Sequence, residues 1–97
     1  MAERFTYRFA WDPVKAAANR RKHGVSFEAA TEVFSDPFAV ERLDDREDYG
    51  EDRFILIGIA EGAVLTVVYT ERDGRIRIIS ARQATKREQD DYFIEND

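Results

Sequence analysis

Four arginines, Arg53, Arg72, Arg77 and Arg82, fall on or beside three consecutive runs that read as strands. A planar guanidinium binds phosphate oxygens two at a time, so arginines gathered in one place suit a phosphoanion or a centre gaining negative charge. His23 is the single histidine. With an ordinary pKa near ~6.5 it is the natural candidate for proton transfer near neutrality. Lys22 beside it adds a cation for a phosphate. Glu51 follows Gly50 and precedes Arg53, offering a carboxylate that acts as a base or orients the arginine. Each group also has a plainer reading. The arginines suit the wet face of a half-buried sheet. Lys22 and His23 suit the last turn of a helix, where cations meet the exposed carbonyls. Glu51 belongs to a loop already dense with acids.

Other chemistries are excluded by composition. There is no cysteine, hence no disulfide scaffold, thiolate metal site, iron–sulfur cluster or thiol nucleophile. One histidine cannot build a multi-histidine metal site. The acidic run from Asp44 to Asp52 lacks the spacing of an EF-hand calcium loop. No cofactor is implied.

The elements that must position these groups follow from pattern. Phe5, Tyr7 and Phe9 alternate with Thr6, Arg8 and Ala10, which predicts a strand. Asp12-Pro13 predicts a helix start and Gly24 its end. Ser26 caps a second helix, Phe27 to about Phe34, with Phe27, Ala30 and Phe34 on one face. Phe38–Leu43 reads as a strand and Asp44–Asp52 as a loop. Arg53–Ala60 is nearly all apolar, as a strand buried on both faces is. Glu61-Gly62 is a tight turn, Val64–Thr70 a β-branched strand, and Asp73-Gly74 a hairpin signal before Arg77–Ala81. A helix is expected from about Ala84 to Ile94, docking through Tyr92 and Phe93. The expected fold is α+β, with two N-terminal helices and one C-terminal helix on a single antiparallel sheet, in one domain over residues 1–97. Strand period two sets a condition on the site. Arg77 points opposite to Ile76 and Ile78, while Ser80 and Arg82 share the isoleucines' face. Arg77 and Arg82 face one site only if the strand ends or bulges near Ser80.

Charge is blocked along the chain. The total is −5 over 97 residues. Residues 1–25 and 53–87 each carry +4, residues 26–52 carry −8 and residues 88–97 carry −5. A protein that coats nucleic acid is basic throughout; this one offers at most a local polyanion site where its two basic segments meet. No apolar run approaches the ~18 residues of a membrane span. Charges interrupt any apolar stretch near the N-terminus, so the expected compartment is the cytoplasm.

Three motifs then carry a family resemblance. The first runs Trp11-Asp12-x-x-Lys15-Ala16-x-x-Asn19-x-x-Lys22-His23-Gly24-Val25-Ser26-Phe27-Glu28-x-Ala30. The second is Asp45-x-x-x-Tyr49-Gly50-Glu51-x-Arg53 followed by Ile57-Gly58. The third joins Val67-Val68-Tyr69-Thr70-x-Arg72, Ile76–Arg82 and Ala84-Thr85-x-x-Glu88-x-x-x-Tyr92. In this order they resemble the BrnT toxins over roughly residues 9 to 92. One departure is Ala10, where that family commonly has an acid before the tryptophan. The resemblance implies a RelE-like fold and a type II toxin that cleaves RNA. It also implies a BrnA-type ribbon-helix-helix antitoxin in a 2:2 complex, with DNA contacted only through the antitoxin. Metal-free cleavage by 2′-OH attack would then need a base, an acid and cations around a phosphorane. His23, Glu51, Arg53, Arg72, Arg77 and Arg82 are the expected catalytic set. Lys22, Tyr69 and Lys86 are the expected RNA contacts. A catalytically inactive module that pairs with an antitoxin-like DNA-binding protein is the alternative reading.

Overall fold

The computed structural model describes residues 8–96. The elements are β1 (Phe9–Ala10), α1 (Pro13–His23), α2 (Phe27–Val33), β2 (Val40–Asp44), β3 (Arg53–Ala60), β4 (Ala63–Arg72), β5 (Arg75–Gln83) and α3 (Lys86–Glu95). Their order is the expected one. Phe5 and Tyr7, expected to begin the first strand, lie outside the described residues.

Local chemistry sets the ends. Asp12 is extended and its carboxylate accepts the Val14 N–H at 2.8 Å, with Pro13 opening α1. Gly24 closes α1 at φ 72°, a left-handed conformation that glycine adopts without strain. Ser26 accepts the Ala29 N–H at 3.0 Å to cap α2. Thr85 and Glu88 form a reciprocal capping box on α3. In the β4–β5 turn, Asp73 and Gly74 both have positive φ, as a two-residue hairpin turn requires.

The sheet order is β1-β5-β4-β3-β2. β2 to β5 are antiparallel to their neighbours, as expected, but β1 runs parallel to β5. The expectation of a purely antiparallel sheet is therefore corrected to a mixed one. The physical reason is the path of the chain. α1 and α2 carry it across one face to the far edge, and three reversals bring β5 back beside β1 in the same sense.

α1 and α2 cover one face of the sheet. Phe27, Ala30 and Val33 of α2 join Leu56, Val67, Tyr69, Ile78 and Ala81 in the main core. Trp11 meets Phe27 edge-on at 5.9 Å, and Phe34 meets Tyr69 at 5.0 Å. Burying a side chain such as Phe27 contributes about 2–3 kcal/mol. α3 lies over part of the opposite face, through Glu88 to Thr66 and through an Asp91–Arg42 ion pair at 3.2 Å. Tyr92 is buried and donates to Asp36 at 2.7 Å, whereas Phe93, expected to dock as well, is 56% exposed.

Beyond its short pairing with β1, the outer edge of β5 is closed by a side chain. Buried Asn19 of α1 donates from Nδ2 to the Ala81 carbonyl at 2.8 Å and accepts the Ala81 N–H at 3.2 Å. The same Nδ2 also donates to the Val25 carbonyl at 3.0 Å. The amide takes the place of a neighbouring strand, so the β5 edge carries no orphaned backbone groups there.

Candidate active site

A bulge in β5 decides where the arginines point. Arg75, Ile76, Arg77 and Ile78 pair with Arg72, Glu71, Thr70 and Tyr69. Ser80 to Gln83 then pair with Val68 to Leu65, leaving Ile79 as the extra residue. Thr66 and Thr70 share one face of β4, and their partners Arg82 and Arg77 share it too. This overturns the regular-strand placement of Ser80 and Arg82 beside Ile76 and Ile78. The bulge required for Arg77 and Arg82 to face one way is present.

Arg53 and Arg72 belong to the same face. Arg53 lies one register step beyond the Phe54–Tyr69 pair, next to Thr70. Arg72 ends β4 at the hairpin. Together with Glu51 and Arg77 they border a cleft of about 210 Å³, whose other wall is the first turn of α1, with Asp12 and Lys15. Four cations and two carboxylates line it. Pairing of Ala10 with Arg77 is what sets α1 at this end of β5.

The side chains in the cleft are held by one another. Glu51 accepts from Arg72 Nη2 at 2.7 Å and from Arg53 Nε at 3.4 Å. The hydrogen bond from Arg72, with a smaller one from Arg53, holds the Glu51 carboxyl below its ordinary range despite some desolvation. Glu51 is therefore ionised throughout the neutral range. The Arg53 guanidinium lies 4.0 Å over the Tyr49 ring. Tyr49 in turn donates to Asp44 at 3.3 Å, and Asp44 is buried and bound by Arg46 through two 2.8 Å contacts. The Thr70 hydroxyl donates to the Asp52 carbonyl at 2.6 Å, which fastens the loop to β4. Arg77 is half-buried and has no ion-pair partner among the described residues.

The remaining expected site residues sit elsewhere. Arg82 lies about 13 Å along the face from Arg77, by strand rise, and makes a bidentate pair with Glu88 at 2.6 and 2.9 Å. Lys86, on α3, pairs with Asp90 at 2.6 Å. His23 and Lys22 end α1, while Asp12 and Lys15 begin it; an α-helix of that length separates them by roughly 15 Å. His23 thus caps the far end of the helix, outside the cleft. Tyr69 lies on the opposite face of the sheet, 4% exposed between Phe34 and Phe54, with its hydroxyl donating to Glu41. A base cannot stack on it without opening the core. Conversely, Asp12 and Lys15 enter the cleft, although Asp12 was read only as a helix start and Lys15 only as part of a family motif. The signal that finds them is the cross-chain pairing of β1 with β5, which a one-dimensional pattern does not carry.

No match was found among curated proteins. A family model described as "Ribonuclease toxin, BrnT, of type II toxin-antitoxin system" matches residues 11–88. That span contains every residue named above as bordering the cleft.

Proposed function

The chain belongs to the BrnT family of ribonuclease toxins of type II toxin–antitoxin systems, and from that premise we propose that the arginine cleft is the centre of a metal-independent RNA cleavage. The single observation that supports this most is the convergence of Arg53, Arg72 and Arg77 with Glu51 around one cleft. A phosphodiester entering it meets Arg77, which has no ion-pair partner among the described residues, and competes with Glu51 for Arg72 and Arg53. The 2′ oxygen attacks phosphorus and the bond to the 5′ oxygen breaks, leaving a 2′,3′-cyclic phosphate and a 5′ oxygen that takes a proton from water to become a 5′-hydroxyl. The arginines stabilise the extra charge of the phosphorane. Glu51, kept ionised by its neighbours, is placed to take the 2′ proton. Lys15 adds positive potential across the cleft. Metal need not supply the charge, because three guanidinium groups do.

A type II system implies a protein antitoxin. Its proposed form is a BrnA-type ribbon-helix-helix protein in a 2:2 complex that covers the arginine face and alone contacts DNA. The α+β arrangement is read as RelE-like on the same grounds. The test is a time course of antitoxin-free protein on total RNA with EDTA, beside the Arg72→Ala/Arg77→Ala variant. Cleavage by the native chain only, leaving cyclic phosphate ends, is expected. Intact RNA with folded native protein, or equal cleavage by the variant, would overturn the reading.

A further inference from the structure

A second basic depression adjoins the cleft. Its volume is about 410 Å³, and it is bordered by Arg8, Arg75, Asp73 and Ala10, with Arg72 and Arg77 as the wall common to both. Four guanidinium groups face one carboxylate. Neither Arg8 nor Arg75 is engaged by an ion pair among the described residues, and both are exposed. Ala10, directly across from Arg77 in register, presents only a methyl group, which leaves the floor shallow at that position among the described residues.

Register explains why the two hollows form a track. Arg53, Thr70, Arg77 and Ala10 make one row across β3, β4, β5 and β1. Arg72 and Arg75 pair two register steps on, in the next row on the same face, with Arg8 one step before β1. The Arg8 carbonyl accepts the Ile76 N–H at 2.8 Å, which fixes Arg8 beside this row. Arg75 and Arg77 share a face two residues apart, about 7 Å by strand rise. That is the order of spacing of successive phosphates on an extended single strand.

We propose that this second hollow is a phosphate subsite for the nucleotide next to the scissile bond. The substrate is then a single-stranded oligonucleotide carrying at least two consecutive phosphates, one held in the cleft and one held by Arg8 and Arg75. The inference rests on the ribonuclease reading of the cleft, because that reading makes the first phosphate the reacting one. Arg8 and Arg75 contact only the flanking group. They contribute to binding and not to the rate of the chemical step.

The test uses the full-length chain and a non-cleavable 2′-deoxy dinucleotide, alone or with a 3′- or a 5′-terminal phosphate, titrated by NMR. One of the two terminal phosphates is expected to tighten binding about tenfold at low salt. It should also steepen the dependence of log K on log[salt] by about 0.7, the value for one single-strand phosphate. The Arg8→Ala/Arg75→Ala variant, altered only at exposed positions, should lose both effects. It should still cleave the unphosphorylated ribodinucleotide at the native rate. No gain from either terminal phosphate, or the same gain in the variant, would overturn the subsite. Failure of native protein to cleave any ribodinucleotide, with the phosphate gain intact and dependent on Arg8 and Arg75, would sink the ribonuclease reading while upholding the subsite.

Discussion

Replacing Glu88 by glutamine keeps its shape and removes the charge that anchors α3. In the native chain Glu88 accepts from both terminal nitrogens of Arg82, from the Thr66 hydroxyl at 3.0 Å and from the Thr85 N–H at 2.8 Å. Burial alone would raise its pKa, but these donors outweigh burial and take it from 4.5 down to about 2. That gap corresponds to about 3 kcal/mol. The Arg82 side chain is 35% exposed, so solvent screening reduces the usable stabilisation to about 1–2 kcal/mol. A domain of this size then melts about 5–15 °C lower at neutral pH. The sign follows from the depressed value. The stabilisation is fully present above the unfolded carboxylate's 4.5 and disappears as pH falls through about 2. Thermal melts of both proteins from pH 7 to pH 2 should show a constant difference down to about pH 5, then a shrinking one. A difference independent of pH, or none at neutrality, would refute the electrostatic account. Cleavage measured well below both melting points should stay within about twofold of native. A large loss would return Arg82 to the chemistry.

Asn19→Ala leaves the Ala81 N–H and carbonyl and the Val25 carbonyl without their partner, so chemical denaturation should show a loss of about 2–4 kcal/mol. Native stability in that variant would mean the β5 edge finds other partners. Glu51→Gln should lower kcat about 100-fold or more while leaving melting within a few degrees, measured on a ribodinucleotide; unchanged kcat would remove it as the base. Because arginines hold Glu51 below the ordinary carboxylate range, the native pH–rate profile should show no ionisation from it between pH 5 and 8. His23→Gln should leave that profile unchanged, and an altered profile would place His23 in the reaction after all.

Much of the fold was legible because its signals are local. Asp12-Pro13, Ser26 and Thr85 start helices through hydrogen bonds within a few residues, and Gly24 ends one through its own φ. The apolar run Arg53–Ala60 and the Asp73-Gly74 turn mark strands and their reversal. The parallel pairing of β1 was not legible, because it depends on where the rest of the sheet returns. The bulge at Ile79 was legible only as a condition. Alternation showed that Arg77 and Arg82 needed one, but nothing in Ile78-Ile79-Ser80 compels it. Of the residues that border the cleft, Glu51, Arg53, Arg72 and Arg77 were singled out by residue type and position along the chain. His23 was picked out by its chemistry, and its place at the end of α1 away from the arginines was not legible because residue type says nothing of which helix end meets them. Tyr69 was ambiguous for a similar reason: alternation assigns it a face, but only the seating of α2 makes that face the core.

The parallel contact between β1 and β5 joins the earliest described strand to the last one. Asp12 and Lys15 leave the ribosome well before Arg72, Arg75 and Arg77, and no intermediate length of chain holds both walls of the cleft. A nascent polypeptide therefore carries an incomplete centre until β5, ending at Gln83, has been made and has closed against α1. For a protein whose proposed substrate is RNA, that order of assembly delays the hazard to its own message until translation of the domain is nearly finished.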